Sequence, residues 1–576
     1  MAKIGTKNPI ATERITKFGG ICHIGTEKGE RSAYDICNFR ILPNGSLLKR
    51  EGFAPIMTLS GEPRAFISGC FDGDRSAFAL VGSAVYLLEL ENGSAELIGN
   101  VDSSAGKAEF FIYEGSLYLV DGNELYRYLP DGFIKVRGYV PLFGKGRSGD
   151  FEDEVYEPIN FLSDRIRIQY HLTSEKNRLY IGVQCSEILS LIINGNESKG
   201  SASLSDDGLW IFLTSRASED TIIDVCLSLS EANTGRSQLT CNKRAVYCGG
   251  DERGRIILYG GNKASRIYAS RPVDFESYIE SQRFDVGSEG IYFPVDGVAE
   301  VGSEGCPVSA VCVSEKKLLA LNDHGIYSVT FKSGNNTPIV TDFCLGIGCE
   351  SEAGAAFCGD ELYFIAHSGI YRISETGGAE CISFGIEDML DDEFYQHSVA
   401  FYNESKGEMW FADPYGEDQS VFIYSITGGE WYRFDGIPFD LFFRQGNDVA
   451  MLYGKYVFAF SENQLVDVSA EGAMNSPIEA YYESNVTDFG YPSVKKHLGR
   501  VLIKAELDGD PIHIKLQGDL GGNRNIQVKP SGLENGKYPT DFHTLGGIGS
   551  FCSMNYIISS DSVGRTKILG LTLSAL

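Results

Sequence analysis

The stretch 362–373 reads LYFIAHSGIYRI, which is the pattern of a β-hairpin. Two runs rich in aromatic and branched residues flank a short polar break that contains Gly369, and Tyr371 and Ile373 of the second run fall on one face. The same outline, with a tyrosine just after the break, recurs at 77–90, 117–129 and 319–329. Four copies of one unit predict an internal repeat built from strands.

Looser copies of this unit lie at 256–270, 421–434 and 451–460. With one tyrosine of each unit as a marker, most steps are 32 to 59 residues long, but the step from Tyr126 to Tyr268 is 142. A four-stranded propeller blade needs roughly 40 to 50 residues, so the spacing predicts an all-β fold with a β-propeller of six or seven blades. The long step predicts an insertion of about 100 residues between two blades. An all-β protein with unrelated hairpins is the competing interpretation, and the regular spacing favours the propeller.

The composition favours strands and limits the class of partner. A chain of 576 residues with 67 glycines, 34 phenylalanines, 30 tyrosines and only 7 methionines suits tightly turned strands, and it is too long for one ordinary core. The formal net charge of −28 argues against a surface that binds DNA or an anionic membrane broadly. It is compatible with a DNA conduit, because an acidic wall lets DNA pass without adhering.

The cysteines and the start of the chain indicate the compartment. The fourteen cysteines form no CxxC pair, and the first residues, MAKIGTKNPIATERITK, contain no apolar signal core. We therefore expect reduced thiols in a protein that is made and assembled in the cytoplasm. No apolar run approaches the length of a membrane span, so no membrane span is expected.

Residues 1–60 differ from the rest of the chain in charge. They carry nine lysine and arginine residues and five acidic ones, on a chain that is otherwise strongly acidic. The pattern predicts a basic arm that ends in a hairpin over 36–53, with its turn at Pro43, Asn44 and Gly45. The arm is expected to reach outward and bind an acidic protein surface in preference to DNA. Its candidate interaction residues are Lys3, Lys7, Arg14 and Lys17.

Two stretches of this region carry a resemblance. The segment ITKFGGI (15–21) followed by YDICNFRILPNGSLLKREGF (34–53) resembles the opening of tailed-bacteriophage virion proteins of the nozzle or packaged-DNA-stabilising type. That family couples an "FGG" segment to a "D..NF...P.GSL.KR.GF" hairpin ahead of a β-propeller. The resemblance is close over about 40 residues, and RIYASRPVDFESY (266–278) resembles a later family segment. It implies an architectural role and transfers no catalytic residue.

The order of patterns predicts five regions. They are the basic arm and hairpin (1–60), the first propeller blades (61–149), an inserted antiparallel β-sandwich (150–243), the remaining blades (244–472) and a C-terminal β-sandwich (473–576). The glycine-rich and then acidic stretch 144–158 is expected to be the linker into the insertion. A basic corner of the last region supplies further candidate interaction residues, Lys495, Lys496 and Arg500.

No motif predicts catalysis, a cofactor or a metal. Gly144, Gly146 and Gly149 spell GxGxxG, but an acidic run follows in place of a helix. Five carboxylates crowd into 387–393, where a solvated turn is favoured over a calcium site. None of the eight histidines has metal-ligand spacing. His324 and His367 occupy equivalent places in two repeat units, which predicts a structural hydrogen bond in the blade turn.

The leading hypothesis is a non-enzymatic virion component of a tailed phage or prophage. It would form part of a homo-oligomeric neck or tail ring around the DNA path, with other tail and neck proteins as partners and no sequence-specific DNA binding. The alternative is a glycan-binding or carbohydrate-active β-propeller that acts on host surface sugars, for which a carboxylate pair in a pocket would be the sign. A cellular kelch-type propeller is a third hypothesis, weakened because the glycine doublets fall at irregular places in the units.

Overall fold

The computed structural model describes residues 11–23, 32–71, 74–146, 157–231, 234–248, 254–272, 290–314, 317–331, 337–374, 377–417, 419–470, 475–530 and 540–576. The chain divides into two compact units. Unit 1 comprises Met1–Gly61, Leu90–Ser94 and Glu350–Leu576, and unit 2 comprises Glu62–Glu89 and Ala95–Cys349. Lys3 and Lys7 lie outside the described residues.

The described N-terminal segment forms strands from its first residues onward. The strands are β1 (Ala11–Ile15), β2 (Ala33–Cys37), β3 (Phe39–Ile41), β4 (Leu47–Lys49) and β5 (Gly52–Thr58). The hairpin predicted over 36–53 is confirmed, because β3 pairs with β4 antiparallel around the turn at Asn44 and Gly45. The expectation of a free arm is wrong for Arg14, which lies in the middle of β1.

Two four-stranded sheets of consecutive antiparallel strands follow the N-terminal segment. The first consists of β6 (Pro63–Phe71), β7 (Asp74–Val81), β8 (Ala84–Glu89) and β9 (Ser94–Asn100). The second consists of β10 (Glu109–Tyr113), β11 (Ser116–Val120), β12 (Leu125–Leu129) and β13 (Gly132–Lys135). This four-stranded meander is the architecture of a propeller blade.

The insertion after the second blade is a β-sandwich with its own core. Its strands are β14 (Leu142–Gly146), β15 (Arg165–His171), β16 (Lys176–Tyr180), β17 (Cys185–Ile193), β18 (Asn196–Glu197), β19 (Ala202–Leu204), β20 (Trp210–Ala217) and β21 (Ile222–Leu229), with a 3₁₀ turn at Lys199–Ser201. A five-stranded sheet (β14-β15-β21-β17-β18) and a three-stranded sheet (β16-β20-β19) share an apolar core. That core includes Ile168, Leu179 and Val225.

The first residues of the stretch 144–158 form a strand where a linker was expected. Residues 144–146 belong to β14, which pairs with β15 in parallel, so the sandwich is not purely antiparallel. The glycine-rich composition did not reveal this strand, because the backbone of β14 forms hydrogen bonds with β15 independently of its side chains. A short helix (Arg236–Thr240) then returns the chain to the blades.

Two further blades complete unit 2. The first consists of β22 (Arg244–Cys248), β23 (Arg255–Tyr259), β24 (Arg266–Ala269) and β25 (Val298–Glu300). The second consists of β26 (Ala310–Val313), β27 (Leu318–Asn322), β28 (Gly325–Phe331) and β29 (Pro338–Leu345). The first strands of successive blades, β6, β10, β22 and β26, lie side by side within this unit, which is the radial order of propeller blades.

Unit 1 contains three blades. The first consists of β30 (Ala355–Cys358), β31 (Glu361–Ala366), β32 (Gly369–Ile373) and β33 (Ala379–Cys381). The second consists of β34 (Val399–Asn403), β35 (Glu408–Ala412), β36 (Val421–Ser425) and β37 (Glu430–Phe434). A 3₁₀ turn (Glu387–Met389) and a short helix (Asp392–His397) connect them. The third combines β38 (Leu441–Gln445), β39 (Asp448–Tyr453) and β40 (Tyr456–Ser461) with the N-terminal β5.

The last strands form a second β-sandwich in unit 1. They are β41 (Val466–Val468), β42 (Asn475–Pro477), β43 (Ala480–Ser484), β44 (Lys496–Leu507), β45 (Ile512–Gly518), β46 (Asn523–Val528), β47 (Thr540–Gly546), β48 (Ser550–Phe551), β49 (Met554–Ser560) and β50 (Thr566–Ala575). One sheet contains β1, β3, β4, β50, β44, β47 and β48, and the other contains β2, β43, β49, β45 and β46. Both N-terminal and C-terminal strands therefore build this sandwich.

The predicted all-β class is confirmed, with β-propeller blades, an inserted β-sandwich and a C-terminal β-sandwich. The described ranges contain seven blade sheets, four in unit 2 and three in unit 1. The hairpin over 362–373 is confirmed, with Leu362 opposite Ile373 and Ala366 opposite Gly369. Its first strand is apolar throughout because inner blade strands are covered on both faces, as the continuous burial of β23, β27 and β35 also shows.

The repeated turn of the blades has a repeated physical cause. In the β11–β12 turn, Asp121 Oδ1 accepts hydrogen bonds from the backbone N–H groups of Asn123 and Glu124 at 3.0 and 2.8 Å. In the β27–β28 turn, Asn322 Oδ1 accepts the equivalent bonds from His324 and Gly325 at 3.0 and 2.9 Å. An Asx side chain at the end of the second strand therefore closes the turn in both blades.

Both tryptophans of unit 1, Trp410 and Trp431, pack between blades. Trp410 lies edge-on to Phe442 and Phe460 of the neighbouring blade, with ring centroids 5.3 and 5.8 Å away. Trp431 donates from Nε1 to the backbone carbonyl of Ile382, next to β33, at 2.6 Å. These contacts fix adjacent blades of this unit by both shape and hydrogen bonding.

Two further observations concern the cysteine thiols and the helices. The thirteen cysteines whose side chains the structure describes are all free thiols. No helix among the described residues is long and apolar enough to cross a membrane.

The insertion offers a test of its independence. Leu229 N donates to Asp164 O at 2.8 Å, so the two ends of the strands β15–β21 are adjacent. Deleting 165–228 and joining Asp164 to Leu229 through two glycines should leave the blades folded, because the deleted strands have their own core. Size-exclusion chromatography and near-ultraviolet circular dichroism of the deletion variant check this. An aggregated product would show that these strands support the blades.

Candidate functional site: the buried ionic seam

The motif over 34–53 occupies a junction within unit 1. Strand β2 pairs antiparallel with β43 of the C-terminal sandwich and in parallel with β37 at Cys37 and Arg433. Blade β34–β37 and one sheet of the sandwich thereby become a single nine-stranded sheet. The following hairpin enters the other sheet of the sandwich, because β4 pairs with β50. A row of buried and half-buried charged groups, here called the ionic seam, follows this junction and consists of Asp35, Arg40, Arg50, Glu51, Glu408, Arg433, Asp435 and Asp467.

Arg40 and Glu408 are the most deeply buried pair of the seam. The side chain of Arg40 is 6% exposed and that of Glu408 is 2% exposed, and Arg40 Nε donates to Glu408 Oε1 at 2.5 Å. Glu408 also accepts from Tyr432 Oη at 2.6 Å and from Trp410 Nε1 at 2.9 Å. A buried carboxylate is stable only when such donors satisfy its oxygens.

Glu51 is the second carboxylate that pairs with Arg40. Arg40 Nη1 donates to Glu51 Oε2 at 2.6 Å. Burial alone would raise the pKa of Glu51, but the attraction of the Arg40 guanidinium and its hydrogen bond outweigh it and lower the pKa to about 2. Burial also acts against the charge on Arg40, yet Glu408 and Glu51 hold the Arg40 pKa well above its usual value. The pair is therefore fully ionised at neutral pH.

Arg50 ties the hairpin to the strand that follows the last blade. It donates two parallel bonds to Asp467, from Nη2 to Oδ2 at 2.6 Å and from Nη1 to Oδ1 at 2.9 Å. It also donates from Nε to Asn38 Oδ1 at 2.8 Å, and to the backbone carbonyls of Glu51 and Asp435. A planar guanidinium suits this fork, whereas a lysine could not supply five directed donors.

Asn38 turns the chain between β2 and β3. Its φ is +56°, a left-handed conformation that asparagine tolerates better than most residues. Its side chain accepts from Arg50 and from the backbone N–H of Asp435 at 3.0 Å, and it donates from Nδ2 to the carbonyl of Glu479 at 2.7 Å. One side chain therefore joins the hairpin, blade β34–β37 and the residue just before β43.

Arg433 and Asp35 form the second bidentate pair. Arg433 donates from Nε and Nη2 to the two carboxylate oxygens of Asp35 at 3.0 and 2.8 Å, and its Nη1 contacts Asp435. Tyr481 donates its hydroxyl to Asp35 Oδ2 at 2.5 Å. Burial first, and then the charge of Asp435, raises the pKa of the neighbouring Cys37 thiol, so this cysteine stays protonated.

The glycine at the end of the hairpin is required by close packing. A Cβ atom at Gly52 would collide with the backbone carbonyl of Val466. Gly52 also pairs with Ser461 at the start of β5. A side chain here would push the start of β5 away from Val466, where the chain packs against the hairpin.

Lys49, next to Arg50 in the hairpin motif, is bonded to a neutral partner. It is buried, and its ammonium donates to the carbonyl of Ser562. Burial, and then repulsion from Arg50, lowers the pKa of Lys49 to about 8. A narrow cavity of about 40 Å³ adjoins it, lined by Arg40, Leu48, Lys49, Arg50, Glu51, Lys406, Glu462, Leu465, Gly564 and Arg565.

The candidate interaction residues fall into different surroundings. Arg14 and Arg500 are exposed and share the outward face of one sheet, because β1 and β44 flank β50 on either side. Lys17 and Lys495 are exposed. Lys496 is not available as an interaction residue, since it is fully buried and donates from Nζ to the carbonyls of Tyr491 and Val494 at 2.5 and 2.7 Å.

The acidic stretch 387–393 has structural partners. Asp391 caps the helix Asp392–His397 by accepting from Phe394 N at 2.8 Å, and Asp388 pairs with His23 at 2.7 Å. Beside this helix, still in unit 1, lies an open depression of about 660 Å³, lined by Met389, Asp391, Glu393, Phe394, Asp413, Tyr415, Gly416, Glu417, Gln419, Ser420, Phe422 and Arg433. It combines carboxylates with the exposed ring of Tyr415.

The comparisons with known proteins add no assignment of function. No protein-family model and no curated protein matches the chain. The solved structures that it resembles include the AfRom2 CNH domain (8% identity, TM-score 0.35, covering 71% of this chain and 99% of that one) and the Neurospora crassa Pan2 WD40 domain (7%, 0.34, 72% and 97%). The WD40 domain of SCAP from fission yeast is similar at 8% identity and a TM-score of 0.29, over 74% of this chain and 98% of that one. Because these scores are low, the fold assignment rests on the sheet topology described above.

Removal of Arg40 tests the seam. Arg40→Ala leaves Glu408 buried without its cation, which should lower the free energy of unfolding by about 3–5 kcal/mol. Urea unfolding followed by tryptophan fluorescence measures this, since Trp410 and Trp431 both lie in unit 1. Arg444→Ala is the matched control: its pair with Glu404 is more than half exposed at both side chains and should contribute less than about 1 kcal/mol. Equal losses for the two variants would contradict the central role of Arg40.

Lys49 predicts a pH dependence of stability. Its folded pKa of about 8 lies below its ordinary value of 10.5, so the unfolded chain binds more protons between these pH values. Stability should therefore rise with pH in this window, with the cost of charged Lys49 fully present below pH 8. Relative to Lys49→Met, the wild type should gain roughly 2 kcal/mol between pH 7 and pH 10. Urea unfolding of both proteins at each pH measures this difference. If the free energies of unfolding of the two proteins change in parallel with pH, the lysine is not desolvated.

Proposed function

We propose that this chain is a structural, non-enzymatic component of a tailed-phage or prophage virion, located in the neck or tail around the DNA path. The observation that carries the proposal is the position of the motif that resembles the nozzle-type proteins. Asp35, Asn38, Arg40 and Arg50 of that motif all lie in the seam or bond directly to it. The motif therefore joins a blade to the C-terminal sandwich, which is an architectural role.

The FGG part of the motif has the same role. Phe18 is buried edge-on against Tyr482 of the sandwich, with ring centroids 5.1 Å apart. Ile21 N donates to the carbonyl of Trp431 in blade β34–β37 at 2.8 Å. The two halves of the resemblance thus meet the same two modules. A protein that bears mechanical load in an assembled particle benefits from such a connection, because separation of the modules would break buried ion pairs.

The charge distribution supplies a second support. The chain carries a net charge of −28, which disfavours adhesion of DNA to its walls. On one outward face of the C-terminal sandwich, however, Arg14, Arg500 and Lys504 are exposed together. A local basic face on an acidic chain suits contact with an acidic protein neighbour, including a second copy of this chain.

Particle composition tests the proposal directly. Density-gradient-purified particles from the source phage or induced prophage should contain peptides of this chain at a fixed ratio to the major capsid protein. The measurement is quantitative mass spectrometry across the gradient, with a host cytoplasmic protein as the control for contamination. A chain that follows the host protein and not the capsid protein would overturn the proposal.

Charge reversal tests the basic face. The double variant Arg14→Glu with Arg500→Glu should fold normally, because both side chains are exposed, with a melting temperature within about 3 °C of the wild type. Its incorporation into particles should fall at least about tenfold, through repulsion from an acidic neighbour. The matched control reverses two exposed basic residues of unit 2, Arg216 and Lys263. Equal incorporation of both double variants would show that the face has no part in assembly.

One observation favours the alternative of a glycan-binding propeller. The open depression near Asp391 brings carboxylates and the exposed Tyr415 together, as sugar-binding surfaces do. Asp391 and Asp413 are already engaged in capping a helix and a turn, which leaves fewer free oxygens for a sugar. A saturable signal on a glycan array that Tyr415→Ala abolishes would favour this alternative over a purely structural role.

A further inference from the structure

Three side chains with different metal-binding atoms meet in unit 2. The thiol sulfur of Cys306, a carboxylate oxygen of Asp323 and a ring nitrogen of His324 all lie within 4.8 Å of one another. Cys306 belongs to the connection between β25 and β26, whereas Asp323 and His324 form the turn between β27 and β28. We propose that these three residues form a Zn²⁺ site that joins two successive blades of unit 2.

The donor set selects the metal. A thiolate and an imidazole are ligands of Zn²⁺ and similar borderline ions, whereas Ca²⁺ and Mg²⁺ prefer oxygen donors throughout. Ligands of one tetrahedral ion at Zn–S and Zn–N distances of roughly 2.0–2.3 Å lie about 3.3–4 Å apart. His324 Nδ1 and Asp323 Oδ1 are 3.4 Å apart, so this pair already has suitable spacing. The sulfur lies within 4.8 Å of both atoms, so it needs to move by only about 1 Å to reach the same spacing.

The backbone holds both halves of the site in place. Asn322, which is fully buried, accepts from the N–H groups of His324 and Gly325 and so fixes the turn that carries two ligands. On the other side, the loop of Cys306 is pressed against this hairpin. Gly302 has a φ of +69°, and a Cβ atom there would lie only 2.7 Å from Asn322 Nδ2 and 2.6 Å from the Tyr327 hydroxyl. Little chain ordering is therefore needed when an ion binds.

Solvent can reach the site. The side chains of Asp323 and His324 are 39% and 66% exposed, and Cys306 is half-buried. An ion can therefore enter without local unfolding, and a fourth position remains open for water or for a ligand from a neighbouring molecule. The sequence did not predict this site, because Cys306 precedes Asp323 by 17 residues and no familiar ligand spacing connects them.

The next blade along the chain supplies a matched control. His367 occupies the β31–β32 turn, equivalent to that of His324, and its Nδ1 lies 3.7 Å from Glu350 Oε1. That pair has an imidazole and a carboxylate but belongs to no three-ligand cluster among the described residues. It therefore measures how much metal a solvent-exposed His–carboxylate pair binds by itself.

Metal binding to the full chain tests the proposal. Protein stripped with a chelator and dialysed against Zn²⁺ should retain one ion per chain by elemental mass spectrometry. Cys306→Ser and His324→Ala should each weaken binding at least about tenfold, whereas His367→Ala should not change it. With Co²⁺ in place of Zn²⁺, the wild type should show a thiolate-to-cobalt charge-transfer band that Cys306→Ser lacks.

Two results would overturn the assignment. Retention of Zn²⁺ by both Cys306→Ser and His324→Ala at wild-type affinity would place the ion elsewhere. Cobalt binding without a charge-transfer band in the wild type would show that the sulfur is not a ligand. Circular dichroism and melting temperature of each metal-free variant guard against misfolding, and Asp323→Asn provides an independent ligand variant if either of the others fails to fold.

Discussion

The ion pair between Arg40 and Glu408 is the interaction on which the architecture of unit 1 depends. A buried guanidinium and carboxylate lose several kcal/mol each of hydration, and their attraction offsets that cost only when every oxygen and N–H group is matched. Here Glu51, Tyr432 and Trp410 supply the remaining partners. The pair therefore contributes less to the net free energy of unfolding than to the choice of one strand register. A shift of β3 by one residue would leave both charges buried and unpaired.

The seam also explains why the N-terminal segment is distributed over three modules. Strand β5 completes the last blade, β2 joins a blade to the sandwich, and β1 pairs with β50 within the sandwich. Each pairing brings residues together that are at least 398 positions apart in the chain. The last blade can therefore be completed only once Ser461 is available, and the C-terminal sandwich only once Ala575 is available, which predicts slow, late consolidation of unit 1.

Local patterns predicted the parts of the fold that local physics determines. Apolar runs with a glycine or Asx break are enough to form hairpins such as 362–373, and their regular spacing indicated blades. The sequence could not show where strands without a repeat pair. Residues 144–146 resembled a linker because their composition is glycine-rich, and Arg14 resembled a free arm because its partner strand lies at the opposite end of the chain. Lys496 appeared as part of a basic corner, although the fold buries it against two carbonyls.

The candidate site was visible in the sequence only as a resemblance. Nothing in the order of residues shows that Arg50 meets Asp467 or that Arg433 meets Asp35, because partners 417 and 398 residues apart leave no local signal. The most direct test of the account is hydrogen exchange of the backbone amides in β2 and β3, measured by mass spectrometry. If the segment is an integral part of unit 1, these amides should exchange as slowly as those of β35 and β36, through the same cooperative opening. Exchange of β2 and β3 within seconds, while β35 and β36 remain protected, would contradict it.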